Sequence, residues 1–223
     1  MPALPALLTW WTMDVRGIAV HPPADDVVEH LGAGLLSRWS EPGRHYHTPR
    51  HLVEMFGALE ELEESRDIDD RQCSVARLAA WFHDAVYDPG ASPGANEADS
   101  ALLAQDTMGQ LGLAGEDIDD IDRLIRLTAR HDSEAAKPLD AAFHDADLWI
   151  LSAPAERFDS YCEQVRLEYA HVPDPAYRQG RVSILRPLLH RDRIYRTPRA
   201  LHRWETWARV NLGRELARLR AED

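Results

Sequence analysis

The sequence is almost without lysine and contains few cysteines. Lys137 is its only lysine, so nearly all of its 25 basic residues are arginines. Any side chain that clamps a phosphate is therefore expected to be an arginine, whose planar guanidinium group forms paired hydrogen bonds. The two cysteines, Cys73 and Cys162, are too few and too far apart for a disulfide framework, and neither stands in a CxxC metal-binding spacing. A reducing, cytoplasmic location is expected.

Long apolar runs, internal repeats and glycine/serine-rich linkers are also missing. No stretch approaches the roughly 18 apolar residues that a membrane-spanning helix needs, so no membrane partner is expected. Residues 2–13 are apolar but lack a basic start and an Ala-x-Ala cleavage site. We therefore expect an N-terminal arm over residues 1–20 rather than a signal peptide, followed by one domain over residues 21–223.

Acidic residues outnumber basic ones by 38 to 25, which gives a formal charge of −13. This charge disfavours binding of long nucleic acid, since such binding depends on neutralising phosphates. It does not exclude a small anionic substrate, because a bound cation reverses the local field in a pocket. A metal ion would reconcile an acidic protein with a phosphate ligand.

Hydrophobic periodicity is helical throughout the chain. Apolar residues recur at three- and four-residue intervals, and no convincing strand alternation is found, which predicts an all-α fold of about nine helices. The expected helices cover approximately residues 24–39, 46–62, 70–86, 96–111, 116–131, 138–151, 154–169, 177–190 and 198–219. In the last of these, Trp204, Trp207, Val210 and Leu216 form the expected apolar stripe.

Ionisable side chains interrupt several of these apolar stripes. His83 and Asp84 follow directly on an apolar helical run, where an unpaired carboxylate would cost on the order of several kcal/mol, so a metal ion or a salt bridge is expected. His47 and His51, four residues apart, would project from one side of a helix; this spacing suits metal ligation but also arises by chance among 11 histidines. Mixed nitrogen and carboxylate ligands favour Mn, Fe, Co, Ni, Zn or Mg.

These residues and their neighbours resemble the HD superfamily, specifically its small metal-dependent phosphohydrolases. The resemblance covers about residues 43–214 and implies a single-domain HD-type helical bundle. The motifs that carry it are Arg44-His45-Tyr46-His47-Thr48 with His51-Leu52, Trp81-Phe82-His83-Asp84-Ala85-Val86-Tyr87, Asn96-Glu97 before Ser100-Ala101, Thr128 with His131, Asp145-Ala146-Asp147-Leu148, Arg166 with Glu168-Tyr169, Gly180-Arg181 and Ile194-Tyr195.

The resemblance implies one divalent metal ion. Its ligands would be His47, His83, Asp84 and one aspartate of the pair Asp145 and Asp147. Residues two apart on a helix point to different sides, so only one of the two aspartates can face the ion. Asp147 is favoured by its position in the motif, and Asp145 is expected to hold a supporting hydrogen bond.

Further ionisable residues have alternative roles. Other members of the superfamily bind a second ion through additional histidines, and His131 or His144 could serve in this way; His131 could equally contact phosphate, cap a helix or pack in the core. His51 could support a ligand, contact the substrate or simply pack. Glu97 could act as a general base or outer ligand, or be an exposed carboxylate favoured by a helix N-terminus.

The activity implied by the resemblance is hydrolysis of a nucleotide or another small phosphate ester by a monomer or homodimer. Asp84 or Glu97 would orient or deprotonate the attacking water. The candidates for a phosphate clamp are Arg44, Arg50, Arg166 and Arg181. The alternatives are a di-iron oxygenase of the HD fold, a noncatalytic nucleotide-binding module and a plain helical scaffold.

Overall fold

The computed structural model describes residues 3–130 and 137–221, and within these residues it contains helices and no strand. The predicted all-α class is confirmed. The α-helices are α1 Ala3–Ile18, α2 Asp25–Arg38, α3 Pro49–Glu64, α4 Asp70–His83, α5 Ala95–Gln110, α6 Gly115–Thr128, α7 Pro138–Asp147, α8 Ala155–Glu168, α9 Asp174–His190, α10 Pro198–Arg203 and α11 Glu205–Ala221. A 3-10 helix, Leu148–Ser152, follows α7.

The described residues thus form eleven α-helices, where about nine were expected. One additional helix, α1, occupies most of the predicted N-terminal arm. The other arises because the helix expected over residues 198–219 is broken at Trp204, where α10 ends. The carboxylate of Glu205, the first residue of α11, accepts hydrogen bonds from the backbone N–H groups of Ile194 and Tyr195, and so ties this break to the preceding loop.

Helix α4 lies at the centre of the fold. It packs against α1, α3, α5, α6 and α7. Every residue from 78 to 83 is buried, as expected for a helix that has neighbours on all sides. The C-terminal end of α4 therefore delivers His83 into the interior of the molecule, where an ionisable side chain needs a partner.

Helix α1 docks on this core through a stripe of residues spaced four apart. Leu7, Trp11 and Val15 are fully buried. The indole N–H of Trp11 donates to the carbonyl oxygen of Val28 at 2.8 Å, and its ring meets Trp81 at a centroid distance of 5.5 Å. No described helix, α1 included, is long and apolar enough to cross a membrane.

The expected apolar stripe of the last helix is only partly buried. Trp204 and Leu216 lie in the core, whereas Trp207 and Val210 are 62% and 49% exposed. Because α10 ends at Arg203 and α11 begins at Glu205, the periodicity of one continuous helix did not identify the buried face. The face of α11 that enters the core instead carries Ala208, Leu212, Leu216 and Leu219.

Three helix boundaries near the predicted site also differ from expectation. Helix α3 begins at Pro49, after an extended Thr48, so His47 lies in the preceding turn rather than on the helix with His51. Helix α4 ends at His83, and Asp84 is the residue that caps it. Helix α7 ends at Asp147, which was expected in the middle of a helix.

Candidate metal centre

Three helix ends meet at one point and bring potential metal ligands together. His51 lies in the first turn of α3, His83 ends α4 and Asp147 ends α7. Each offers one ligand atom, and these three atoms lie within 4.8 Å of one another. His83 and Asp147 are the last residues of α4 and α7, whose carbonyl ends favour a cation, whereas the N-terminal end of α3 at His51 opposes one. We call His51, His83 and Asp147 the ligand cluster.

The distances within the ligand cluster suit a single ion. The two Nε2 atoms of His51 and His83 are 3.3 Å apart, and Asp147 Oδ1 lies 3.3 Å from the first and 3.5 Å from the second. Two ligand atoms each about 2.1 Å from an ion are separated by about 3.0 Å at a right angle and about 3.4 Å at the tetrahedral angle. The cluster therefore has the spacing of ligands around a divalent cation.

The ring orientations of the two histidines also suit an ion. His83 Nδ1 lies 2.9 Å from the carbonyl oxygen of Ala80, which can only accept, so Nδ1 carries a proton. In the neutral ring the lone pair is then on Nε2, which faces the cluster. His51 turns Nδ1 towards the hydroxyl of Tyr46 at 3.1 Å and likewise directs Nε2 inward. Such outer hydrogen bonds are typical of metal-binding histidines.

Asp84 borders the ligand cluster. Its Oδ2 lies 2.9 Å from His83 Nε2, 4.0 Å from His51 Nε2 and 3.8 Å from His47 Nε2. Burial alone would raise the pKa of Asp84, but the adjacent His83 and His47 outweigh it and hold the pKa well below its ordinary value. Burial lowers the pKa of His83, and the carboxylates of Asp84 and Asp147 outweigh this effect and raise it. The centre is thus a largely buried cluster of imidazoles and carboxylates, which are donor types that a divalent cation accepts.

His47 occupies a neighbouring position and is held by Glu168. Its Nδ1 donates to Glu168 Oε2 at 2.7 Å, while its Nε2 faces Asp84. Burial lowers the pKa of His47, but Asp84 and Glu168 outweigh it and raise the pKa. The structure therefore places His51, expected as a supporting or substrate-contacting residue, in the ligand cluster, and places His47, expected as a ligand, beside it.

The two candidate aspartates have separate positions. Asp147 belongs to the ligand cluster, as favoured from the sequence. Asp145 is fully buried and points towards α10, where its carboxylate accepts hydrogen bonds from the backbone N–H groups of Arg196 and Thr197, from the Thr197 hydroxyl and from His144 Nδ1. Asp145 and His144 therefore hold the loop before α10 to α7.

Three of the four candidate arginines are occupied away from the ligand cluster. Arg44 donates to the carbonyl oxygens of His47, Asp84 and Ala85, and so holds the turns that carry site residues. Arg50 pairs with Glu54 on the surface of α3. Arg166 pairs with Asp174 and donates to the carbonyls of Tyr169 and Val172.

Arg181 is the candidate arginine that lines the cavity over the ligand cluster. This cavity has a volume of about 320 Å³, which is within the usual range for small-molecule sites. Glu97 lines it too and is half-buried. Thr128, which belongs to the same sequence motif as His131, also faces the cavity, whereas His131 itself lies outside the described residues.

No role was predicted for Glu168 from the sequence, although the structure places its carboxylate against His47. Its Oε1 accepts from the backbone N–H groups of His45, Tyr46 and His47, and its Oε2 also accepts from the Tyr87 hydroxyl at 2.9 Å. Burial alone would raise the pKa of Glu168, but the hydrogen bond and charge of the His47 imidazole, together with the backbone N–H groups of His47 and His45, outweigh it and lower the pKa to about 2. Its place in the Glu168-Tyr169 motif was the available signal.

Comparisons with known proteins identify no relative. No protein-family model matches the chain, and neither a curated protein nor a solved structure matches it. The resemblance to the HD superfamily therefore rests on the sequence motifs alone. Function has to be inferred from the chemistry of the candidate metal centre.

Proposed function

We propose that this protein is a divalent-metal-dependent phosphohydrolase of the HD superfamily that acts on a nucleotide or another small phosphate ester. The observation that carries the proposal is the convergence of His51, His83 and Asp147 from three helices onto one point. Because this point lies in a cavity that also contains a buried arginine, a cation and an anionic substrate can be bound side by side.

The donor set fits one divalent ion held by His51, His83, Asp147 and the bordering Asp84. Two imidazole nitrogens and two carboxylates are ligands that Mn, Fe, Co, Ni, Zn and Mg accept, so the set does not choose among them. When bound, such an ion supplies a Lewis acid that polarises a phosphoryl oxygen and lowers the pKa of water. A second ion stays a prediction: of the two histidines expected to hold it, His131 lies outside the described residues and His144 Nδ1 bonds to Asp145.

Arg181 is suited to bind the substrate phosphate. It is only 8% exposed, and its guanidinium is surrounded by Tyr161, Tyr177 and Cys162 rather than by a carboxylate among the described residues. A buried guanidinium without an anionic partner is costly, and a phosphate oxygen supplies that partner. Its Nη2 donates to the Tyr161 hydroxyl at 2.6 Å, so the remaining N–H groups of the guanidinium are the ones that can donate to a phosphate oxygen.

Proton handling falls to carboxylates at the wall of the cavity. Asp84 Oδ2 lies between the imidazoles of His47 and His83, where it can accept a hydrogen bond from the attacking water and orient it. Glu97 faces the same cavity and is the second candidate for accepting the proton. Glu168 holds the His47 ring in place, so that His47 Nε2 keeps its orientation towards Asp84.

The test is a hydrolysis assay on protein purified without chelator and loaded separately with Mn, Co, Ni, Zn, Fe or Mg. A panel of nucleoside monophosphates, sugar phosphates and aryl phosphates is used, and released phosphate is measured. We expect metal-dependent turnover that falls by at least about a hundredfold in His83→Gln, because a ligand is lost. His202→Gln, on an exposed histidine of α10, is the matched control and should keep full activity.

Two results would replace the proposal by its alternatives. Metal-loaded protein that binds nucleotide but turns over no member of the panel would indicate a noncatalytic binding module. Two irons per chain together with O₂ consumption would indicate an oxygenase. Folded protein that neither binds a metal nor hydrolyses any ester would indicate a helical scaffold.

A further inference from the structure

A second cavity adjoins the one over the ligand cluster. It has a volume of about 360 Å³ and lies between the turn before α3 and helices α8 and α9. Both cavities are lined by Tyr46, His47, Tyr161, Tyr169 and Arg181, so they share a common wall and junction. The second space therefore lies directly beside the one over the ligand cluster.

The walls of the second cavity are aromatic and aliphatic. Its main lining side chains are Tyr46, Tyr161, Val165, Tyr169, Tyr177 and Ile184. The rings of Tyr46 and Tyr161 meet edge to face at 4.6 Å, and those of Tyr169 and Tyr177 are 6.4 Å apart. We call this space the tyrosine chamber. It begins close to the ligand cluster, because Tyr46 also contacts the His51 ring at 4.8 Å.

Two residues that line the tyrosine chamber each have a buried polar atom without a hydrogen-bond partner among the described residues. These atoms are the hydroxyl of Tyr177 and the Nε of Arg181, and each residue is 8% exposed. Buried polar groups are nearly always paired, so such exceptions point to a ligand that completes them. The other end of Arg181 is already engaged, since its Nη2 donates to the Tyr161 hydroxyl at 2.6 Å.

These features define the group that fits. Flat rings pack well against tyrosine faces and edges, and the apolar walls offer few partners for the hydroxyl groups of a sugar or polyol. The two unpaired atoms are both able to donate a hydrogen bond, so the bound ring should carry an acceptor at its edge. An aromatic or heteroaromatic ring with one edge acceptor satisfies both requirements.

We propose that the tyrosine chamber binds a flat aromatic group of the phosphorylated substrate, which presents a hydrogen-bond acceptor to Tyr177 and Arg181. This inference rests on the proposed phosphohydrolase function for the position of the phosphate. It narrows the substrate class to phosphate esters whose organic part is a planar ring system close to the phosphate, since the chamber and the ligand cluster are neighbours.

Binding of non-hydrolysable phosphonates to Mn-loaded protein tests the chamber independently of turnover. Isothermal titration calorimetry compares naphthylmethylphosphonate with methylphosphonate, and we expect the naphthyl compound to bind at least about tenfold more tightly. Quinolinylmethylphosphonate isomers then add one ring nitrogen as an acceptor. We expect one isomer to bind at least about threefold more tightly than the naphthyl compound. Tyr177→Phe should abolish this gain in affinity, because it removes the hydroxyl but keeps the aromatic ring of residue 177.

A variant that fills part of the tyrosine chamber tests whether the aromatic phosphonates bind there. Gly180 lines the chamber on α9, and a Cβ added there meets no atom within 4 Å, so the side chain of Gly180→Leu can start from free space at the chamber. We expect the naphthyl preference to fall by about tenfold. Gly109→Leu is the matched control, because Gly109 is also an exposed helical glycine with free space, on α5 away from the chamber.

The outcomes separate the chamber from the hydrolase activity. Preferential naphthyl binding that Gly180→Leu removes supports the chamber, even if no phosphate ester is hydrolysed. The proposal for the chamber is overturned if hydrolysis is metal-dependent but aromatic compounds are preferred less than twofold and Gly180→Leu does not change this preference. The phosphohydrolase proposal is then unaffected. Failure of both phosphonates to bind metal-loaded protein also overturns the chamber.

Discussion

Replacing Glu168 by glutamine should destabilise the protein and disturb the candidate metal centre. Glu168 accepts three backbone N–H groups on one oxygen, and the His47 imidazole and the Tyr87 hydroxyl on the other. Its side chain is fully buried. A glutamine has the same size and can keep its carbonyl oxygen against the backbone groups. Its NH₂ group, however, replaces an acceptor by a donor opposite His47 and Tyr87.

The magnitude follows from the hydrogen bonds affected. A hydrogen bond to a charged group contributes about 1.5–3 kcal/mol, against about 0.5–1.5 kcal/mol for a neutral pair. Glu168→Gln removes two charged bonds and weakens three others, so we expect a loss of roughly 3–4 kcal/mol in the free energy of unfolding. His47 should respond by moving its proton from Nδ1 to Nε2, which then points at Asp84.

Urea unfolding of both proteins, followed by circular dichroism between pH 2 and 7, measures this loss. The pKa of Glu168 is about 2 in the folded protein, below its ordinary value of 4.5. A carboxylate with a lowered pKa stabilises the fold fully above the ordinary value and loses this contribution as the pH falls through the folded value. The difference between wild type and Glu168→Gln should therefore be constant above about pH 4.5 and shrink as the pH approaches about 2.

A matched control is Glu215→Gln on α11. Glu215 is also buried, but its carboxylate pairs with Arg218 at 2.8 Å and makes no contact with His47 among the described residues. We expect a smaller loss, of about 1 kcal/mol. A Glu168→Gln protein within about 0.5 kcal/mol of wild type at pH 7, or a difference that grows at low pH, would refute the role assigned to Glu168.

Other variants test the docking of α1 and the role of Asp145. Trp11→Ala should cost about 3–5 kcal/mol by opening a cavity in the core, measured by urea unfolding; a cost below about 1 kcal/mol would show that α1 is not docked in this way. Gly32→Ala places a Cβ 2.5 Å from the Trp11 ring, so it should lose about 1–3 kcal/mol in the same assay, whereas Gly34→Ala, with free space, should not. Asp145→Asn should lower the free energy of unfolding by about 2–4 kcal/mol, because it weakens the hydrogen bonds to Arg196 and Thr197. The folded variant should still bind the metal ion, and loss of metal from it would contradict this role.

The helices could be predicted from the sequence because their apolar periodicity is local. The burial of α4 could be predicted in the same way, since its apolar stripe continues up to His83. The break at Trp204 was missed because the apolar periodicity runs through it. The contact that fixes this break reaches back from Glu205 to Ile194. The apolar N-terminal segment was not predicted to be a helix. The four-residue spacing of its buried side chains is explained by the core surface against which α1 packs.

The candidate site was predicted in part. His83, Asp84 and Asp147 were identified from their motifs, and they lie together. His51 lies in the ligand cluster and His47 beside it because α3 begins at Pro49, and local periodicity defines helix boundaries poorly. Glu168 is more than 120 residues from the backbone groups that it binds, a distance that no local pattern conveys.

The most direct test of the candidate metal centre is the metal content of the purified protein and of four variants. Inductively coupled plasma mass spectrometry on protein prepared without chelator, with folding checked by circular dichroism, compares wild type with His51→Gln, Asp147→Asn, His47→Gln and Asp145→Asn. We expect about one divalent ion per chain in wild type, its loss in the first two variants and its retention in the last two. Folded wild type without metal after loading with Mn or Ni, or loss in His47→Gln with retention in His51→Gln, would contradict the ligand cluster.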